Sequence, residues 1–292
     1  MTGTTEKLKL PSKAILLERL RARFSQPHPA PVLLFGNQKS GGTAIAGLLA
    51  AATGLRATLD LSGTKAPYFS QLMQGKVSLR TFIRHNAFSF SAPIIKDGSL
   101  TFVGAPLMEH FGLKRAGFII RDPFDNIRSI LDRLKLPGHL QNLDVSTVKI
   151  NRTWKSILAG EDIGLPNSHY VENLARRWLA ATEFYERERQ RLTLVRYDRF
   201  CADKPGTILW LARTFNLSAR HDVTALLDHP FQRRGKPTRD WEGFFGQENM
   251  ERISQICGPA ATRLGYYSPT LLQASSSPAP LRQVRTRRIA SS

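Results

Sequence analysis

The chain has 292 residues, of which 41% are hydrophobic and 22% charged, a composition typical of a globular protein with one sizeable core. It carries 42 Lys and Arg against 23 Asp and Glu, and the formal net charge of +19 predicts a surface that attracts anions. Two cysteines are too few for a disulfide framework or a cysteine-rich metal site. No long apolar run is present and the N-terminal stretch lacks one of signal-peptide length, so we expect a cytoplasmic protein without a membrane span.

The apolar pattern predicts short buried strands that alternate with helices. A lead-in helix is predicted over Pro11–Phe24, ahead of the prolines in QPHPAP. Four apolar runs are typical of buried parallel strands: Val32–Phe35, Pro93–Ile95, Gly117–Ile120 and Leu192–Val195. Helical patterns cover Thr43–Ala52, Pro123–Leu134, Val171–Arg191, Pro205–Phe215 and Glu248–Leu264. This order predicts an α/β fold of three layers, with a central parallel sheet flanked by helices.

We expect three parts along the chain. The lead-in helix belongs to residues 1–30, a single α/β domain to residues 31–267, and a flexible basic tail to residues 268–292. The tail is rich in Ser, Pro and Arg, so it cannot bury enough apolar surface to pack as a domain.

The segment PVLLFGNQKSGGTAIAGLLAAATG runs from a strand through a Gly-rich turn directly into a helix. The backbone N–H groups of such a turn and the positive end of the helix can surround a phosphate, and Gly36, Gly41 and Gly42 allow close approach. In the usual nucleotide loop, G-x-x-x-x-G-K-[ST], a lysine precedes the last residue. Here Gly42 precedes Thr43, and the lysine is Lys39. The sequence therefore predicts a P-loop-type fold with an unusual phosphate loop.

The run Lys39, Ser40, Gly41, Gly42 and Thr43 resembles the 5′-phosphosulfate loop, K-S-G-T-T, of the sulfotransferases that use 3′-phosphoadenosine 5′-phosphosulfate (PAPS). Gly42 departs from the family pattern because it stands where a Thr is usual. The resemblance implies that this loop, with Gly36 before it, binds the 5′ end of the nucleotide.

A second strand-to-helix segment, AGFIIRDPFDNIRSILDRL, is similar to the 3′-phosphate motif of the same family. There an Arg at the strand end and a Ser eight residues later hold the 3′-phosphate, which separates PAPS from ATP. The resemblance implies these roles for Arg121 and Ser129. A strand-end Arg by itself is more often part of a structural ion pair.

Two later stretches also resemble the family. In LTLVRYDRFCADKPG the matching tyrosine is Tyr197, which the resemblance places near the adenine, although a tyrosine here can equally well cap a strand. In FQRRGKPTRDWEGFF the residues Arg233, Arg234 and Gly235 match a late basic segment that closes over the nucleotide. The spacing from them to the following Asp-Trp pair is one residue longer than usual.

The resemblance implies catalysis by two lysines at the carboxyl edge of the sheet. Lys39 neutralises the leaving group, and Lys96, at the end of APIIK, contacts the sulfuryl group. The acceptor also needs a base. Cytosolic family members carry a His two residues after the second lysine, where this chain has Gly98, so Asp97 and His85 are the candidates, with Asp97 preferred.

We therefore expect a PAPS-dependent sulfotransferase that needs no metal and acts on a small-molecule or glycan acceptor. Two alternatives remain. A P-loop kinase or NTPase would need a lysine beside Thr43 and an acidic residue for Mg²⁺. A nucleic-acid-binding protein would explain the charge but not the two phosphate motifs, and a steep salt dependence of DNA binding would favour it. The acceptor and the oligomeric state are not encoded in a recognisable pattern.

Overall fold

The computed structural model describes residue 17 and residues 20–166, 168–229, 231 and 240–267. Five strands form one sheet in the order β2-β3-β1-β4-β5, and every neighbouring pair is parallel. Their bounds are β1 Val32–Phe35, β2 Ala57–Thr58, β3 Ile94–Lys96, β4 Ala116–Ile120 and β5 Leu192–Arg196. The four predicted strands are confirmed to within one residue at each end. The two-residue β2 was not predicted, because it is too short to leave an apolar pattern.

The α-helices of the described ranges lie between and after these strands. They are α1 Gly42–Thr53, α2 Tyr68–Met73, α3 Leu79–His85, α4 Ala87–Phe90, α5 Gly104–His110, α6 Pro123–Leu134, α7 Arg152–Ala159, α8 Tyr170–Arg187, α9 Tyr197–Ala202, α10 Lys204–Thr214 and α11 Trp241–Arg263. All five helices predicted after the lead-in are confirmed, and α11 starts earlier than predicted and kinks at Gly246. Most of the lead-in helix and the whole predicted tail lie outside the described residues.

Helices cover both faces of the sheet, so the fold has three layers. In β1 the side chains alternate with a period of two, so that Leu33 and Phe35 join one core cluster and Leu34 joins the other. The larger cluster contains residues from α6, α8 and α11, including Trp178 of α8, and the smaller contains residues from α1 and α10. The predicted α/β class with flanking helices is confirmed. Among the described helices, none combines the length and apolar character that crossing a membrane requires.

The sheet order determines what meets at its carboxyl edge. Because β1 lies between β3 and β4, the loop that follows β1 is flanked by the end of β3 on one side and the end of β4 on the other. Parallel strands all end at one edge, and ligands of open α/β sheets bind at the point where the connections diverge. Lys96 ends β3 and Arg121 follows β4, so both are brought to the loop.

Candidate functional site

The loop between β1 and α1 has the backbone that its glycines predict. Gly36 adopts φ 140, and a Cβ at this position would lie 2.3 Å from the carbonyl oxygen of Ile119 in β4. Only glycine allows the loop to leave the sheet so close to the neighbouring strand. Lys39 and Gly41 also have positive φ, of 64 and 93, and Gly41 is the N-cap of α1. The loop therefore leads into the positive end of that helix.

The ring of Tyr197 contacts both Gly41 and Arg121. A Cβ on Gly41 would be 2.1 Å from the ring of Tyr197, the first residue of α9. The Arg121 guanidinium lies over that ring, 4.9 Å from its centre, and its Nη1 donates a hydrogen bond of 3.3 Å to the carbonyl oxygen of Lys39. The Nε of Arg121 is buried and has no hydrogen-bond partner among the described residues. Two of the predicted motifs thus meet around one aromatic ring.

Asn126 connects α6 to the loop. Its amide nitrogen donates to the carbonyl oxygen of Gln38 at 2.8 Å and to the Ser40 hydroxyl at 3.1 Å. Its amide oxygen accepts a hydrogen bond of 2.9 Å from the side chain of Asn37. Ser129 lies one turn further along α6 and is 7% exposed. Asn126 was not found from the sequence, although it lies inside the second motif, three residues before Ser129.

A fully buried arginine supports the loop from behind. Arg177 of α8 pairs with Asp162 at 2.6 Å, and its Nε donates to the side-chain oxygen of Gln38 at 3.0 Å. The amide nitrogen of Gln38 in turn donates to the Ser99 hydroxyl at 3.0 Å. Gln38 lies inside the Gly-rich loop, but neither it nor Arg177 was a predicted site residue, because their contact joins residues far apart in the chain. The sequence held no signal for it.

Lys96 extends across the beginning of α1. Its Nζ donates to the Thr43 hydroxyl at 2.9 Å and pairs with a carboxylate oxygen of Asp60 at 3.0 Å. A Cβ on Gly42 would be 2.8 Å from the Cε of Lys96. The Lys96 side chain therefore passes over Gly42, the glycine that departs from the family pattern. Asp60, which follows β2, was not among the predicted site residues because β2 itself was not recognised.

The two predicted bases have different surroundings. Asp97 is 4% exposed and its carboxylate accepts hydrogen bonds from the Leu61 and Ser99 amides, each at 2.8 Å, and from the Thr64 hydroxyl at 2.7 Å. Burial raises the pKa of Asp97 above its usual value, and the neighbouring Asp60 raises it further. His85 is exposed at the end of α3.

Gly98 packs against the loop. A Cβ there would be 3.0 Å from the Gln38 side chain and 3.1 Å from its backbone nitrogen. A histidine at this position, as in the cytosolic sulfotransferases, would displace Gln38 from its place between Arg177 and Ser99.

The site is electropositive at its centre. Burial lowers the pKa of the Lys39 ammonium below its usual value, and the positive charges of Arg133, Arg121 and Lys96 lower it further. Asp60 acts in the opposite direction with a smaller effect. Such a cluster of cations at a helix N-terminus favours a bound anion.

Part of the predicted site cannot be placed. Arg233, Arg234 and Gly235 lie outside the described residues. Within the described ranges, His, Cys, Asp and Glu form no group of three or more that could hold a metal ion. The described site therefore consists of the loop after β1, Arg121, Ser129, Tyr197 and the end of β3.

The chain is similar in fold to several solved sulfotransferases. Mouse SULT7A1 complexed with PAP, the desulfated nucleotide, is 11% identical with a TM-score of 0.49, over 90% of this chain and 92% of that one. STF1 from Mycobacterium tuberculosis is 13% identical with a TM-score of 0.47, over 83% and 82%. A sulfotransferase from Alicyclobacillus acidocaldarius is 11% identical with a TM-score of 0.44, over 83% and 98%. No protein-family model and no curated protein matches the chain. At such low similarity, substrate and activity have to be inferred from the site itself.

Proposed function

We propose that this chain is a sulfotransferase that moves a sulfuryl group from PAPS to a hydroxyl or amine acceptor and releases 3′-phosphoadenosine 5′-phosphate (PAP). The observation that carries the proposal is the contact between Arg121 and the loop. An arginine after β4 donates to the carbonyl oxygen of Lys39 and stacks on Tyr197, beside a helix N-terminus. This arrangement offers two adjacent sites for anions, one at the loop and one at Arg121.

The residues present fit a nucleotide with a 3′-phosphate. The buried Nε of Arg121 lacks a partner among the described residues, so it is a donor that a phosphate oxygen can satisfy. Ser129 lies on the same helix as Asn126, which already contacts the loop. The ring of Tyr197, which packs on the buried Phe200 with 6.0 Å between the ring centres, supplies an aromatic surface for a base next to the loop.

In sulfuryl transfer the acceptor oxygen or nitrogen attacks sulfur while the bond from sulfur to the 5′-phosphate oxygen breaks. The departing PAP keeps that electron pair, and the acceptor's proton goes to a base. The protein has to align the two groups and neutralise the charge that develops on the leaving oxygen. Lys39 is proposed to do this for the leaving 5′-phosphate, and Lys96 for the sulfuryl oxygens.

The base stays a prediction, and Asp60 joins Asp97 and His85 as a third candidate. The raised pKa of Asp97 suits a base near neutral pH, but its oxygens already accept three hydrogen bonds below the surface. Asp60 has a side chain 56% exposed and touches Lys96. Asp60 is therefore better placed to meet an acceptor, and Asp97 to hold the Leu61 backbone beside it.

The donor site is tested by calorimetric titration with PAP, against ADP and against ATP with Mg²⁺. We expect micromolar PAP binding that Arg121→Ala abolishes, while Arg115→Ala, an exposed arginine before β4, leaves it unchanged. Binding of ATP with Mg²⁺ in place of PAP would replace the proposal by the kinase alternative.

The base is tested separately, by PAP release from PAPS with water or added hydroxylated compounds as the attacking group. We compare Asp60→Asn, Asp97→Asn and His85→Ala. A residue whose variant keeps the wild-type rate is not the base.

A further inference from the structure

We propose that Arg133 is a specificity-determining residue that binds an anionic group, a carboxylate, phosphate or sulfate, on the acceptor. This inference rests on the proposed function, because the site that Arg133 extends is the proposed transfer site. It goes further in naming the acceptor's chemical class.

The position of Arg133 follows from the geometry of α6. Asn126 lies on the side of α6 that faces the loop, since it contacts both Gln38 and Ser40. Residues seven apart lie on the same stripe of a helix, two turns and about 10 Å along its axis. Arg133 is seven residues after Asn126 and four after Ser129. It therefore extends the stripe that faces the loop, beyond the two residues near the proposed donor site.

The charge of Arg133 is available for a ligand. Its side chain is exposed, and within the described ranges it makes neither a hydrogen bond nor an ion pair. The adjacent Asp132 lies 3.9 Å from Arg128 instead. Asp60, a carboxylate on the loop side, pairs with Lys96. No described carboxylate therefore neutralises Arg133.

Arg133 also acts on the proposed transfer centre. Of the charged neighbours that lower the pKa of Lys39, it has the largest effect, ahead of Arg121 and Lys96. The charge of Arg133 therefore acts on the same centre as the charges of Arg121 and Lys96. Arg121 is assigned to the donor's 3′-phosphate and Lys96 to the sulfuryl group. Because these two cations are assigned to the donor, Arg133 remains to bind the acceptor, which approaches Lys39 from the solvent.

The test uses the full chain loaded with PAP and titrated with inorganic sulfate, with sodium chloride adjusted to keep ionic strength constant. Arg133→Gln is compared with wild type and with Lys135→Asn. Lys135 is an exposed lysine two residues away, at the left-handed C-cap of α6, and Asn tolerates this backbone. We expect Arg133→Gln to weaken sulfate binding about five-fold, and Lys135→Asn to leave it unchanged.

Each other outcome overturns the inference. Equal sulfate binding in wild type and Arg133→Gln, or no sulfate binding to the PAP complex, removes the anion site. A loss of PAP affinity in Arg133→Gln assigns the residue to the donor. A competition experiment then adds glucuronate or glucose, of which only glucuronate carries a carboxylate, to the sulfate-bound PAP complex. The proposal requires that glucuronate displaces the sulfate and that glucose does not. Failure of wild type to bind PAP would instead contradict the proposed function, and sulfate titration of the nucleotide-free protein would still measure the contribution of Arg133.

Discussion

Arg177 Nε donates a hydrogen bond of 3.0 Å to the side-chain oxygen of Gln38, and this contact joins a fully buried charge to the Gly-rich loop after β1. Arg177 is 0% exposed and pairs with Asp162, and its guanidinium also lies 4.3 Å from the centre of the Phe102 ring. The loop is therefore supported from the interior of the protein, by Arg177 and Asp162.

Loss of Arg177 should unfold the protein more readily and loosen the loop. Arg177→Met leaves Asp162 buried without its partner, which costs about 3 to 5 kcal/mol in the free energy of unfolding. Urea denaturation measures this. The exposed neighbour Arg176 is the control, since Arg176→Met should change stability by less than about 0.5 kcal/mol. A small effect of Arg177→Met would mean that the buried pair is dispensable.

Arg177→Lys separates a positioning role from a structural one. Lysine keeps a positive charge for Asp162 but cannot reproduce the second, directed donor to Gln38. We expect this variant to fold and to bind PAP several-fold more weakly in calorimetry. Unchanged PAP affinity would show that Gln38 does not need this hydrogen bond.

Gly41→Ala should disrupt the loop. The new methyl group would lie 2.1 Å from the Tyr197 ring, at a backbone φ of 93 that side chains disfavour. We expect PAP affinity to fall at least about ten-fold, as displacement of the loop removes several directed donors. Gly75→Ala is the matched control, because Gly75 has φ 69 but nothing lies within 4 Å of its added Cβ.

The clash with Tyr197 has a test of its own. If it is the cause, Gly41→Ala should cost less PAP affinity in a Tyr197→Ala background than in the wild-type chain. An equal loss of PAP affinity in both backgrounds would make backbone strain alone responsible.

Lys39 should take up a proton when PAP binds at alkaline pH. Burial and the cations around Lys39 lower its pKa in the free protein, and a bound anion raises it again, so that between the two pKa values binding adds a proton. Above about pH 8 the phosphates of PAP are fully ionised and do not obscure the effect. Calorimetry in buffers of different ionisation enthalpy measures the uptake. Lys39→Arg should abolish this proton uptake. If the uptake persists in the variant, a group other than Lys39 takes up the proton.

Asp122 should make stability decrease with rising pH. Burial raises the pKa of this carboxyl to about 6 from 3.8, against hydrogen bonds from Tyr267 and the Asp125 backbone that lower it. A raised folded-state pKa contributes stability that is complete below the unfolded value and is lost as pH rises through the folded value. Between about pH 4 and about pH 8 the ionisation of Asp122 should lower the free energy of unfolding by about 2 kcal/mol.

Urea denaturation of Asp122→Asn across that range tests the assignment, since the decrease should be absent from this variant. Asp144 is a useful comparison, because its pKa is shifted in the direction opposite to that of Asp122. The Ser146 hydroxyl and amide lower its pKa, so Asp144→Asn should remove a stabilising effect at neutral pH. A wild-type pH profile that Asp122→Asn leaves unaltered would contradict the role of Asp122.

Local pattern was sufficient for four of the five strands of the described sheet and for the two strand-to-helix turns after β1 and β4. β1 and β4 are continuous apolar runs because both faces of the sheet are covered, and α6 begins at Pro123, as predicted, with Asp122 as its N-cap. Gly36 and Gly41 have the positive φ that their place in a tight strand-to-helix turn implies. These features depend on neighbours in the chain, so the sequence alone reveals them.

Other parts of the site depended on contacts between distant residues. Asp60 follows a strand of only two residues, and it becomes a site residue through the side chain of Lys96, 36 positions later. Gly42 was expected to allow close approach of a phosphate in place of the usual Thr, whereas the structure shows that its missing side chain also gives Lys96 room to reach Thr43. Such relationships arise when β3 pairs with β1, and no local pattern records them.

The sequence by itself determined the alternation of strands and helices, the glycine-dependent turn after β1 and the basic character of the chain, because backbone conformation and net charge follow from residue type and short-range spacing. Only the tertiary structure decided which charges face one another. It put Asp60 against Lys96 and Arg177 beneath Gln38, and it lets the charge of Arg133 act on Lys39. The physical reason is that electrostatic and hydrogen-bond energies depend on separation in space, and the packing of α6 and α8 on the sheet sets that separation.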